Sequence, residues 1–271
     1  MVVQHNMQAV NTNRMLGQNV KAVQKSTEKL SSGYQVNRAA DDAAGLSISE
    51  KMRNQIRGLN QAVKNAEDGI SLIQTAEGNM NEIHSILQRM GELAIKARND
   101  VNASEDRQTI QDEISQLKQE ICSITKKAEF NGTKLLNGNM ASGKNLQVGA
   151  NQGELLKITI SGTSLKKLGL TTTSVTTAAS ASAAIKQIQS AIKNVSAQRS
   201  LLGAIQNRLE YTINNLENYS ENLTSAESQI RDTDMATEMV NYSKNNILAQ
   251  AGQSMLAQAN QSTQGVLNLL Q

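Results

Sequence analysis

The chain has 271 residues, enough for one large or two ordinary domains, yet it contains no Pro, no Trp and a single Phe. That composition excludes a core built on aromatic anchors and leaves Leu, Ile, Val, Met and Ala to be buried; without Pro, helices can run long and unbroken. The 27 basic and 24 acidic residues, net +3, are interspersed along the helical runs, which argues against a nucleic-acid footprint, and no stretch approaches the roughly 18 apolar residues of a membrane span. A single cysteine, Cys122, rules out an intrachain disulfide.

Residues 2–30 place Val3, Met7, Val10, Leu16, Val20, Val23 and Leu30 at steps of mostly three and four, with Gln, Asn, Ser and Lys between them. The pattern predicts one amphipathic helix with a thin apolar stripe, marginal in water without a partner. Ser31, Ser32 and Gly33 break it, and Asp41 and Asp42 set negative charge where the next helix begins. The opening segment lacks the basic and apolar regions of a cleavable secretory signal, so any export takes another route.

From Ala43 to Ala97 the ridge Met52, Ile56, Leu59, Val63, Ala66, Ile70, Ile73, Glu77, Met80, Ile83, Leu87, Met90, Ala94 and Ala97 follows a heptad seam. Its one irregularity is two successive threes at Glu77, Met80 and Ile83, a stammer expected to overwind a supercoil locally. At about 1.5 Å per residue this helix is on the order of 80 Å long. Ser104 is expected to cap a second helix carrying Ile110, Ile114, Leu117, Ile121, Ile124 and Ala128, folded back on the first. Phe130-Asn131-Gly132-Thr133 ends it.

Residues 138–180 change character. Glycines punctuate them, and Leu146–Val148 and Leu156–Ile160 alternate as a small hairpin. Thr171–Ala184 reads as an exposed connection or the frayed start of a helix. A third long helix, 181–229, carries Ile185, Ile188, Ile192, Val195, Leu202, Ile205, Leu209, Ile213, Leu216, Leu223 and Ala226. After cap residues Arg231–Asp234, a last amphipathic segment runs through Met235, Met239, Tyr242, Ile247, Leu248, Met255, Leu256, Val266, Leu267, Leu269 and Leu270. The expected fold is mostly α: an elongated antiparallel coiled-coil bundle with a small β-hairpin. Its segments are 1–42, 43–137, 138–180, 181–231 and 232–271.

No constellation of catalytic or metal-binding residues stands out. His5 and His84 have no Cys or carboxylates at ligand spacing, and Cys122 beside Ile121 reads as packing. Asp41-Asp42 and Asp232-Thr233-Asp234 read as helix caps rather than paired acids or a calcium loop. Neither a phosphate-binding glycine loop nor a nucleophile elbow occurs. The Ser/Thr run after Thr171 could accept O-linked sugars or serve as a solvated linker.

Five motifs together resemble the bacterial flagellins. They are Leu30-Ser-Ser-Gly-Tyr34, Ala39 to Met52 (AADDAAGLSISEKM) with Ile56 to Ala62, Phe130 to Leu136 (FNGTKLL), Glu227 to Glu238 (ESQIRDTDMATE), and Val266 to Leu270. The resemblance, reinforced by Arg208 to Ile213, covers nearly everything but residues 138–180. It implies a helical filament subunit whose terminal segments form an inner tube and whose long helices form an outer one, with no cofactor and no catalytic turnover. It further implies export through the flagellar type III apparatus, with an export chaperone and a cap protein as partners and an extracellular location.

On this reading Val3, Met7, Val10, Leu16, Val20, Val23, Leu256, Val266, Leu267, Leu269 and Leu270 are the polymerisation residues. They order when neighbouring copies supply apolar surface, a coupling of folding to binding. The stretch Gln88–Lys96 is similar to the segment by which flagellins contact Toll-like receptor 5, which carries over to Arg89, Leu93 and Glu113; lateral contact between subunits is their expected primary role. Gly91 and Lys96 depart from the usual residues there, and members commonly have a Pro where this chain reads Gln261–Gly265. Neither nucleic acid nor membrane is an expected partner. The competing readings are a hook–filament junction protein and a soluble signalling coiled coil.

Overall fold

The computed structural model describes residues 6–268, with side chains described through residue 262. Within that range the chain is mostly helical: α1 (Met7–Ser32), α2 (Ala43–Arg98), α3 (Ser104–Lys127), α4 (Ala178–Arg231) and α5 (Met235–Asn268). Four short strands, β1 (Glu129–Phe130), β2 (Thr133–Lys134), β3 (Lys144–Gln147) and β4 (Leu155–Ile158), form two separate antiparallel pairs. The residues pack as two compact units, one from 1–54 with 221–271 and the other from 55–220, and α2 and α4 contribute to both.

The unit of residues 55–220 holds the large aliphatic core. Ile73, Met80, Ile83, Leu87, Met90, Ile114, Ile121, Leu135, Leu136, Met140, Ile160 and Leu170 are fully buried there. Each such Ile, Leu or Met contributes about 1.5–3 kcal/mol on leaving water.

Burial moves the seam of α2 off its expected path. Leu59, Ala62, Ala66, Gly69, Ile73, Ala76, Met80, Ile83, Leu87, Met90, Ala94 and Ala97 are all buried, at steps of three and four without a break. Glu77 is not on that line. It lies on the flank, 3.4 Å from the Arg199 guanidinium of α4. The expected stammer at Glu77 is therefore absent: Ala62, Gly69 and Ala76 take the turns expected of Val63, Ile70 and Glu77, and on the flank the Glu77 carboxylate keeps its hydration. In α4 the buried line Ala181, Ala184, Ile188, Ala191, Val195, Leu202, Ile205, Leu209 and Leu216 keeps the same spacing.

Two further expectations need correction. Ser104 is the first residue of α3 rather than its cap; the backbone N–H of Ala103 instead donates to Asp106 Oδ2 at 3.1 Å. The connection after Thr171 is not simply exposed or frayed. Thr173 and Val175 are buried with Leu170, and polar bonds hold the segment: the Val175 N–H donates to Gln111 Oε1 (2.8 Å), Thr173 Oγ1 to Gln187 Oε1 (2.7 Å) and Lys118 Nζ to the Thr173 carbonyl (2.5 Å). Its Thr and Ser content hid two residues, Thr173 and Val175, that the core needs.

After α3, Asn131 (φ 46) and Gly132 (φ 73) make the tight turn joining β1 to β2, a left-handed pair that Asn-Gly adopts readily. The second hairpin lies where expected, with Leu146 opposite Leu156. It packs on α2 at Gly69, where a Cβ would stand 2.6 Å from Leu146 Cδ2, so a larger residue would force the Leu146 side chain to move. Asn65 Nδ2 holds it as well, donating to the Gln147 carbonyl at 3.1 Å.

The seam assignment separates neighbouring substitutions. Ala76→Asp buries a carboxylate without a partner and is expected to cost several kcal/mol in urea unfolding of the full chain. Glu77→Ala removes one half-exposed ion pair and is expected to cost less than about 1 kcal/mol. Equal losses would return the seam to Glu77.

Candidate functional site

The unit that joins residues 1–54 to 221–271 is built on α1 and α5. They run antiparallel: Asn6 Nδ2 donates to the Ala259 carbonyl (3.0 Å), Gly252 lies against Leu16, and Lys29 faces Glu238 at 3.9 Å. Asn6 also caps α1, its Oδ1 accepting from the Ala9 N–H. The helix ends two residues later than Leu30, at Ser32, where Gly33 takes the left-handed conformation that closes it.

The two facing rows keep the heptad spacing but fill it differently from α2 and α4. On α1 the covered row is Ala9, Thr12, Leu16, Asn19, Val23, Ser26 and Leu30; on α5 it is Glu238, Tyr242, Asn245, Ala249, Gly252, Leu256 and Ala259. Half of these positions are polar or carry almost no side chain. Most are only half-buried, and Ser26 and Ala259 are the two that are buried outright.

Larger apolar groups face away from the pair. Met7 is 71% and Val10 63% exposed on α1, with Met15 and Val20 also outward; on α5, Ile247 is 65% and Met255 59% exposed, with Met239, Val240 and Leu248 beside them. The apolar stripe expected along the first helix is thus divided: Leu16, Val23 and Leu30 turn inward, whereas Met7, Val10 and Val20 turn outward. Leu256 is half-buried in the seam. Val3, Leu269 and Leu270, and the side chains of Val266 and Leu267, lie outside the described residues, as does His5.

Where α1 passes into α2 and α4 into α5, the two links are fastened together. Tyr34 and Asp232 form an antiparallel bridge, the Gln35 N–H donates to the Arg231 carbonyl (2.7 Å), and the Thr233 N–H donates to the Gly33 carbonyl (3.0 Å). The Arg231 guanidinium sits 4.6 Å from the Tyr34 ring centre and donates to Glu50 Oε1 (2.8 Å) and Ser49 Oγ (3.3 Å). Ser49, buried, donates its own hydroxyl hydrogen bond to Glu227 Oε1 at 3.1 Å.

The acids beside these links act as caps. Asp42 Oδ1 accepts from the Ala44 and Gly45 N–H groups at the start of α2, and Asp234 accepts from Ala236, Thr237 and the Thr237 hydroxyl at the start of α5. The Thr237 hydroxyl and those backbone donors hold the Asp234 carboxyl below its ordinary range. Lys25, 2.8 Å away, does the same for Asp41.

In the other unit, Arg89 on α2 donates through Nε and Nη2 to Glu113 Oε1 on α3 (3.2 and 3.0 Å) and through Nη1 to Glu92 Oε2 (3.2 Å). Both Arg89 and Glu113 are on the surface. Leu93 is not: at 3% exposed it belongs to the core, so the direct contact expected of it is not offered at the surface. A Cβ at Gly91 would meet Ile188 Cγ2 at an ordinary 3.8 Å, so packing does not require glycine there. His84 Nε2 lies 3.2 Å from Gln88 Nε2.

Residues 3–141 match the family described as bacterial flagellin N-terminal helical region, and residues 185–270 match bacterial flagellin C-terminal helical region. The chain is 53% identical to a flagellin of Halalkalibacterium halodurans and 50% identical to one of Bacillus subtilis, each comparison covering all of both chains. It is 46% identical, again over both full lengths, to a flagellar filament 31.3 kDa core protein of Treponema maltophilum. Among solved structures, the crystal structure of Bacillus cereus flagellin aligns over 56% of this chain and 88% of that one, with 30% identity and a TM-score of 0.52. A putative flagellar hook-associated protein of Vibrio parahaemolyticus shares the fold over 71% of this chain and all of that one, at 13% identity and a TM-score of 0.59.

The link between the helices can be tested by itself. Arg231→Met keeps the aliphatic stem but removes the ring contact and the bonds to Glu50 and Ser49, a loss of about 1–3 kcal/mol. Hydrogen exchange should show faster opening at residues 34–50 and 227–233, with Ile83 and Leu87 amides unchanged. Unchanged exchange at both places would mean the backbone bridge alone holds the links.

Proposed function

The chain belongs to the bacterial flagellins, and from that premise we propose that its α1–α5 pair is the surface on which one copy adds to the next. As a flagellin it is a structural subunit of the flagellar filament, assembles with itself, and is not an enzyme. The observation that carries the proposal is the set of exposed apolar residues Met7, Val10, Val240, Ile247 and Met255 on a pair whose own seam holds polar side chains or glycine at Thr12, Asn19, Ser26, Glu238, Asn245 and Gly252. Exposed apolar sets of this kind mark interaction surfaces.

A pair so thinly sealed gains little from folding alone, because ordering each residue costs about 1–2 kcal/mol of backbone entropy. Neighbouring copies that cover the exposed apolar residues offset that cost. Leu16, Val23 and Leu256 then hold the pair together, while Met7, Val10 and Val20 meet the neighbours; Val3, Val266, Leu267, Leu269 and Leu270 are assigned to polymerisation with them. A loosely folded pair also suits passage through a narrow export channel, and we assign export to the flagellar type III apparatus, with an export chaperone and the filament cap as partners and an extracellular filament as the destination.

The Arg89–Glu113 pair supports a second, finer role. Two exposed opposite charges fixed to each other across α2 and α3 make a defined polar feature on the monomer. Its first role is lateral contact between subunits; on the free monomer it serves as a contact for Toll-like receptor 5, with Leu93 setting the turn beneath it.

Val10→Asp combined with Ile247→Asp should stop elongation from wild-type filament seeds while leaving the urea unfolding of the monomer within about 0.5 kcal/mol, since both sites face water. Undiminished growth would remove the α1–α5 surface from the account. Arg89→Ala should elongate seeds and bind the receptor ectodomain about tenfold or more weakly. Unchanged affinity in that titration would discard the receptor reading.

A further inference from the structure

The interspersed charge of the long helices gives way between residues 118 and 170. That segment holds eight Lys against three Glu, net +5 in a chain whose total is +3, so the remainder is net −2. Two of the three acids are engaged, Glu129 by Lys134 and Glu154 by the backbone and side-chain N–H groups of Asn151. Lys126, Lys127, Lys144, Lys157, Lys166 and Lys167 are exposed, and none of them forms an ion pair among the described residues.

Part of this charge surrounds a cavity of about 450 Å³ lined by Lys118, Gln119, Cys122, Ser123, Lys126 and Leu165. Lys118 and Lys126 stand one helical turn either side of Cys122 on α3, and Leu165 brings the Lys166–Lys167 turn to the rim. No carboxylate lines it. The Lys118 ammonium spends one proton on the Thr173 carbonyl and keeps two donors; Ser123 and the Gln119 amide add neutral ones. A concave surface that carries cations, donors and no acid focuses a positive potential, and an anionic group is what it accommodates.

The geometry points to this cavity and its lysine rim as a binding site for an anionic polysaccharide, a chain bearing sulfate or carboxylate groups. Every cation between Arg107 and Arg199 is a lysine. Lysines are hydrated point charges on flexible stems, suited to anions spaced along a sugar chain, whereas the guanidinium forks and stacking rings that grip nucleic acid are missing from the cavity. Exposed Lys144 on β3 and Lys157 on β4 continue the positive charge beyond it, enough for a polymer rather than a single ion.

The test uses the full chain titrated with heparin, and in a second arm with a polyuronate, at about 50 mM salt, where screening is weak. Lys126→Gln, Lys166→Gln and Lys167→Gln together should weaken heparin binding tenfold or more. A control with the same loss of charge on α2 and α4, Lys64→Gln, Lys186→Gln and Lys193→Gln, should change it less than twofold. Saturating heparin should slow alkylation of Cys122 by iodoacetamide several-fold, which reports the cavity itself. Binding of heparin alone identifies sulfate as the recognised group, and binding of both polymers identifies the shared negative charge. Equal losses in the two triple variants, unaltered Cys122 alkylation, or single-stranded DNA of matched charge binding as tightly would each overturn the proposal.

Discussion

The same three-and-four spacing runs through every long helix, but what fills it differs, and most of the molecule's behaviour depends on that difference. Along α2 and α4 the seam is Leu, Ile, Met, Val and Ala, and removing those groups from water stabilises a dry core. Along α1 and α5 the same positions hold Thr12, Asn19, Ser26, Glu238, Asn245 and Gly252 among a few aliphatic residues. Those groups hydrogen-bond or hydrate easily but bury little. One periodicity therefore supports a core that is complete within one chain and, on the proposed reading, a helix pair that completes itself against other chains.

The links between helices give the thinly sealed pair a fixed point. Arg231 meets Tyr34 by its face and Glu50 and Ser49 by its edge, while backbone bonds join Gly33 and Gln35 to Thr233 and Arg231. Both ends of the pair's attachment are thereby tied in one place. Capping by Asp42 and Asp234 starts the two flanking helices at defined residues, so the link is specified by its polar groups rather than by buried area. On the proposed reading, this fixed point lets a subunit order its α1 and α5 on assembly without searching for where they begin.

Much of this was legible in the residues. Lack of Pro, the heptad spacing and the glycine-rich middle together predict long helices with a hairpin, whose register, with Leu146 opposite Leu156, the structure supplies. The flagellin motifs identify the family that the comparisons then show. Periodicity alone failed where two adjacent residues could each occupy a seam turn: Val63, Ile70 and Glu77 fit the spacing one residue late, whereas Ala62, Gly69 and Ala76 are the ones buried. It failed again on α1, where Met7, Val10 and Val20 continue the count from Leu16 and Val23 yet face outward. Seven-residue counting does not say which face meets the partner; there Thr12 and Asn19 share the inward face with Leu16, Val23 and Leu30. Long-range partners were beyond reach for a different reason: Arg231 with Tyr34, and Thr173 with Gln187 and Lys118, are set by the fold and leave no local pattern.

The central claim is that α1 and α5 are sealed by other copies while the core of residues 55–220 is sealed by its own chain. Amide hydrogen exchange on the monomer and on assembled filaments tests it directly. The account predicts rapid exchange of α1 and α5 amides in the monomer and strong protection in the filament, with the amides around Ile73–Leu87 protected equally in both. Equal, high protection of α1 and α5 in the monomer would contradict it, because the pair would then be stable on its own seam.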